Sequence, residues 1–181
     1  MDPSACQNGR RYRRGDRKFT RGRMGVIDYL SVAAQGLGMS DLHLPALRVG
    51  LRHCETMTVE EQHLVPALAR QWPDLADMPP AFATAMMIGF IEHTCIQGLR
   101  PFLTEGQRTV GGHVDVSHTA ATPAGMKVTA TVELSEIDGR SLLFTVRCED
   151  DAGLIGEGRH RRIIIDADRF IARLKAKAET A

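Results

Sequence analysis

The stretch Ala83–Leu99 constrains the fold of this chain more than any other feature. It contains no proline, Pro101 follows its end, and apolar side chains occupy nearly every face of the helix it predicts. Met87, Ile88, Ile91, Cys95 and Leu99 recur at three- and four-residue spacing, while Ala85, Met86, Phe90 and Ile96 fill most of the other faces. A helix this apolar is expected to be buried, so the rest of the chain must supply a layer that wraps it. Its single acid, Glu92, stands out against that background.

The flanking sequence reads as strands. Leu47–Glu60 alternates loosely, with Val49, Leu51, Met57 and Val59 apolar between polar positions. Residues 61–80 carry Pro66, Pro73, Pro79 and Pro80 and are expected to form a loop with short helical turns. Residues 110–119 read as a strand, with Gly111-Gly112 marking a bulge or a close approach of a ligand to the backbone. Met126, Val128, Ala130, Val132 and Leu134 then alternate with polar residues, as in a half-buried antiparallel strand. Asp138-Gly139 predicts a hairpin turn in which both residues take positive φ. The return strand points Leu142, Phe144, Val146 and Cys148 inward, a turn at residues 150–153 follows, and Leu154–Ile165 is the last strand. Residues 166–178 predict an amphipathic helix with Phe170, Ile171 and Leu174 on one face. A strand, a buried helix and four strands joined by short turns define an α+β chain. Its five-stranded antiparallel sheet curls around one long helix, the hot-dog fold.

Residues 45–181 form this domain, and residues 1–44 are assigned to a basic, disordered tail. The net charge of +1 conceals +6 within residues 1–23 and −5 in the remainder. Such an arm can bind nucleic acid or anionic lipid. The favoured reading is a disordered leader or an over-extended start upstream of Met24 or Met39, with nucleic acid an unlikely partner. The chain has 43% hydrophobic and 25% charged residues, the balance of a soluble globular protein. No apolar run approaches the roughly 20 residues of a membrane-spanning helix. Cys6, Cys54, Cys95 and Cys148 are dispersed and form no Cys-x-x-Cys pair. They suggest neither a disulfide framework nor a structural zinc site, and fit a cytoplasmic location.

Three side chains carry the chemical signal. Glu92 has Ile88, Cys95 and Ile96 as helical neighbours, so it is expected to project from an apolar surface. It is either a hydrogen-bonded structural acid or a base or nucleophile poised by desolvation. Thr84 is either an N-cap or a group placed where first-turn N–H groups stabilise negative charge. His118 follows on the next strand, either as a core histidine or as a proton acceptor. No metal-ligand spacing appears, and no metal or cofactor is called for. The run Arg159, His160, Arg161 and Arg162 is either a solvated strand face or a holder of anionic phosphates.

Taken together these residues resemble a family. Phe82-Ala83-Thr84 followed by Met87, Gly89, Glu92 and Cys95 is similar to the helix of the fluoroacetyl-CoA thioesterase family. Residues 116–125, running through His118 into the Pro123-Ala124-Gly125 turn, resemble its most specific signature. Residues 156–162 look like its last strand. The resemblance spans residues 45–175. It implies a homodimer, possibly pairing further into a dimer of dimers, that hydrolyses acyl-CoA through Thr84, Glu92 and His118. It also implies substrate contacts at Gly111 and at Arg162, the latter near the CoA phosphates. Where the fluoroacetate-specific enzyme carries aromatic gate residues, this chain has Leu75 and Met78. Met78 is therefore read as a substrate-binding lid residue, and a short or medium acyl-CoA as the substrate class. A non-catalytic module binding acyl-CoA or an acyl carrier is the alternative. A hydratase is disfavoured, because Asp115 and His118 point to opposite faces of a strand.

Overall fold

A computed structural model describes residues 47–180; the proposed tail lies outside the described residues. One antiparallel sheet holds β1 (Arg52–Thr58), β2 (Gln107–Val116), β3 (Lys127–Asp138), β4 (Ser141–Asp150) and β5 (Gly153–Asp166). Their spatial order is β1-β3-β4-β5-β2, so β1 and β2 form the two edges. The sheet curls around α1 (Thr84–Leu99), and α2 (Ala167–Glu179) closes the chain. This is the expected hot-dog arrangement. The proline-rich 61–80 segment contains three short 3-10 turns, Glu61–His63, Val65–Arg70 and Pro73–Leu75.

The core follows from the strand period. Met87, Ile91, Cys95 and Leu99 of α1 share one cluster with Val128, Ala130, Val132 and Leu134 of β3. Leu142, Phe144, Val146 and Cys148 of β4 belong to the same cluster. Burial of this apolar surface, at about 25 cal/mol per Å², is the main term favouring the fold. The register between β2 and β5 shifts between Gly111 and His113, so the paired glycines do mark a bulge.

Several expectations need correction. The helix α1 is not covered all round in one chain: Ala85, Gly89 and His93 are exposed, and Ile96 keeps 38% of its surface in solvent. Val49 is exposed because the chain turns at Gly50, where φ is +91°, before β1 begins. The β3–β4 turn uses Gly139 (φ +54°) and Arg140 as its central residues. Asp138 pairs with Ser141 and has no positive φ, so glycine alone meets the steric demand of this turn. In α2, Ile171 and Leu174 stay exposed and Phe170 is half-buried. Cys95 and Cys148 are buried free thiols. Among the described residues, no helix is long and apolar enough to cross a membrane.

Candidate active site

The entry to α1 is fixed from both sides. The Phe82 amide donates to Thr122 O (2.8 Å), and the Ala83 amide donates to His63 O (2.9 Å). Thr122 is itself buried and donates its hydroxyl to Asp150 Oδ2 at 2.7 Å. Ala83, not Thr84, occupies the N-cap position, and its side chain makes no capping hydrogen bond. Thr84 is the first helical residue, and its hydroxyl is spent elsewhere: Oγ1 lies 2.9 Å from His118 Nδ1. The first-turn N–H groups beside it have no acceptor within the helix.

His118 lies just beyond β2, which ends at Val116, rather than within the strand as expected. Its neighbours anchor it to β5. The Ser117 amide donates to Glu157 O (2.9 Å), and the Thr119 amide donates to Ile155 O (2.8 Å). The Ser117 hydroxyl reinforces the first contact, donating to Glu157 O at 2.9 Å and accepting from the Glu157 amide at 3.2 Å. The imidazole stands edge-on to the Phe82 ring, centroids 6.3 Å apart. Its Nε2 is buried and has no hydrogen-bond partner. Burial lowers the His118 pKa, because a desolvated imidazolium is disfavoured, and a backbone hydrogen bond at Ala120 opposes the shift only in part.

Glu92 occupies a second station. Eight residues of helix separate it from Thr84, about 12 Å along the axis. It is not the unpaired acid in an apolar interior that the sequence suggested. Its Oε1 lies 3.3 Å from Arg162 Nη1 and 3.4 Å from His160 Nε2, and its side chain is 37% exposed. Gly111 makes room for this carboxylate, since a Cβ there would meet Glu92 Oε1. Gly111 thus joins the Glu92 station at the bulge of β2.

Arg162 does not fit the role expected of it at CoA phosphates. It is 2% exposed, and its guanidinium is turned into the protein. Nε donates to Thr109 Oγ1 (2.9 Å), Nη2 to Thr109 O (2.8 Å) and Nη1 to His160 Nε2 (3.2 Å). His160 is the participant that sequence reasoning missed. A signal existed: His160 and Arg162 are in phase with buried Ile164, while Arg159 is exposed on the opposite face. Met78 lies on the loop after the Pro73–Leu75 turn, 46% accessible. The structure therefore joins Thr84 to His118, and Glu92 to Gly111 and Arg162, but leaves these two groups separate within one chain.

The first station offers an imidazole nitrogen without a hydrogen-bond partner beside the first-turn N–H groups of α1; the second offers a fixed carboxylate. Such a set suits hydrolysis of an activated acyl group. Solved structures define the class. A thioesterase superfamily member from Thermus thermophilus matches with a TM-score of 0.67 and 25% identity, over 76% of this chain and 99% of that one. A hot-dog-like protein from Thermanaerovibrio acidaminovorans, 19% identical with a TM-score of 0.63 over 78% of this chain and 97% of its own, shares the fold. The model of the fluoroacetyl-CoA-specific thioesterase family matches residues 59–168. The fluoroacetyl-CoA thioesterase of Streptantibioticus cattleyicolor is 37% identical over 131 residues, covering 72% of this chain and 94% of that protein. A solved fluoroacetyl-CoA thioesterase superposes with a TM-score of 0.71 at 36% identity, over 73% of this chain and 98% of its own. The chain belongs to the fluoroacetyl-CoA-specific thioesterase family, and this places it among enzymes that hydrolyse thioesters.

Proposed function

We propose that this protein hydrolyses a short or medium acyl-CoA to the free acid and CoA, using Thr84, Glu92 and His118. The single observation that carries this reading is the His118 ring, with Nδ1 on the Thr84 hydroxyl and Nε2 buried and unpartnered. In this reading Nδ1–H donates to Thr84 Oγ1, which leaves the lone pair on Nε2 to take a proton from water. The first-turn N–H groups at Thr84 stabilise the developing oxyanion. Glu92 faces the acyl carbon as the attacking or water-directing carboxylate. The C–S bond breaks as the new C–O bond forms, and CoA leaves as a thiolate that takes up a proton. Leu75 and Met78 form an aliphatic lid; flexible side chains there adapt to acyl groups other than fluoroacetyl.

The working unit in this reading is a homodimer. Two chains related by a two-fold axis beside the middle of α1 exchange their stations, setting Glu92 of one copy opposite Thr84 and His118 of the other. Gly89 supports this placement. It lies between the two stations, is exposed, and a Cβ added there would meet nothing within 4 Å in a single chain. A mid-helix glycine costs roughly 1 kcal/mol relative to alanine, a cost explained by a second helix approaching closely.

Thiol release from acyl-CoA substrates of graded chain length tests the reading. Turnover is expected with short or medium chains, and Glu92→Gln or His118→Ala should each lower kcat at least tenfold while the melting temperature stays near that of the parent. Tight acyl-CoA binding without turnover at any length points instead to a non-catalytic binding module. Undiminished rates in both variants remove the proposed roles.

A further inference from the structure

The Glu92 carboxylate is held by a frame whose organising member is His160. The imidazole is fully buried, and each of its ring nitrogens has a defined neighbour. Nδ1 lies 2.8 Å from His113 O, a carbonyl in the bulged part of β2 that can only accept. Nδ1 therefore carries the hydrogen. Nε2 faces Arg162 Nη1 at 3.2 Å, and a guanidinium can only donate, so Nε2 supplies the lone pair. These contacts fix a neutral Nδ1–H tautomer. The same Arg162 Nη1 reaches Glu92 Oε1 at 3.3 Å, while Nε and Nη2 are anchored on Thr109 of β2.

We infer that His160 is a positioning residue for hydrolysis. By accepting from Arg162 it directs the guanidinium toward Glu92, and by donating to His113 O it ties that aim to the β2 bulge beside Gly111. Without the Nε2 acceptor, Arg162 Nη1 loses one of its two partners and turns away from the position that holds Glu92. If Nε2 instead carried a hydrogen, that N–H would oppose the guanidinium and compete for Glu92 Oε1, which is 3.4 Å away. A surface placement of this histidine could do neither.

This inference rests on the catalytic reading of Glu92, and the two are separable by experiment. Two amide substitutions divide the functions of the ring. His160→Gln places an amide oxygen near the former Nε2 and retains an acceptor for Arg162. His160→Asn keeps an N–H near the former Nδ1 for His113 O but has no acceptor for Arg162. With the full chain and acyl-CoA substrates, His160→Asn should lose at least tenfold in kcat with KM within threefold of the parent. His160→Gln should retain kcat within about fivefold. A merely structural role in holding the bulge reverses that order, and this reversal, or equal effects of the two variants, overturns the inference. Histidine ¹⁵N spectra of the unsubstituted protein near neutral pH give a readout independent of turnover: a protonated Nδ1 is expected, and an Nε2–H tautomer overturns the inference. Failure of the unsubstituted protein to hydrolyse any acyl-CoA overturns the thioesterase reading itself, and with it the catalytic purpose assigned to His160.

Discussion

A histidine with one nitrogen on a hydroxyl and the other buried without a partner can work only from one side and only while neutral. For His118, burial lowers the pKa from the ordinary histidine value of 6.5. Activity carried by the neutral ring should therefore rise with pH through a midpoint below about 6.5 and be level above it. A kcat/KM profile from pH 4 to 9 checks this; an acid limb centred above 7 contradicts it. Stability follows the same sign. His118 and His160 both have lowered pKa values, mainly through burial, so the unfolded chain binds protons that the folded chain refuses. Their contribution is fully present above pH 6.5 and is lost as pH falls toward the folded values. At this scale, Thr84, Glu92 and His118 were legible as residue types in a pattern, but their partners were not. Glu92 was read as isolated because its helical neighbours are apolar, and the groups that hold it come from β5, some seventy residues later in the chain. Arg162 was legible as a charge near the site and misread in direction, since a run of four polar residues conceals that a strand sends alternate members inward.

Strand period and turn chemistry made the elements readable. The alternation in β3 and β4 fixed both the strands and their buried face, because antiparallel pairing with one covered side admits a single phase. What sequence could not give was the close approach of the end of β2 to β5 that delivers His118. That approach depends on Gly156 and Gly158. At Gly158 a Cβ would meet Asp115 O and would lie 2.7 Å from Val116 Cα; at Gly156 it would meet Ser117 O and lie 3.2 Å from Met87 Sδ. The obstacles at Gly158 are backbone atoms, which cannot rotate away. Gly158→Ala should therefore push the end of β2 outward, destabilise the protein by about 1–3 kcal/mol and reduce kcat by displacing His118 from Thr84. Gly125→Ala makes a poor control, since φ there is +91°. Thermal melts with parallel kinetics check the prediction, and full activity in Gly158→Ala shows that the β2–β5 approach does not set the histidine.

The whole molecule explains why the same helix can be both the centre of a core and the floor of a site. One face of α1 packs into the curled sheet, and the other remains open in a single chain, with Glu92 and Ile96 each more than a third exposed. The long apolar helix predicted burial correctly as a physical need, but one copy meets only part of it. Edge strand β2 is open beside that face, with residues Gly111–Asp115 exposed, and an unpaired edge next to an uncovered helix favours pairing with a second copy. The proposed dimer has a consequence that neither parent variant can imitate. Co-expressing Glu92→Gln and His118→Ala chains with different affinity tags, and purifying through both, isolates the mixed dimer. If each site takes Glu92 from one copy and Thr84–His118 from the other, one site in that dimer is doubly damaged and its second site is intact. The mixed dimer should then recover about half the activity of the unsubstituted dimer, although each parent retains a tenth or less. Sites built wholly within one chain leave every site in the mixture with one lesion, and the mixed dimer is then no faster than its parents. A chain that elutes as a monomer at assay concentration while hydrolysing acyl-CoA at full rate also rules out the shared site.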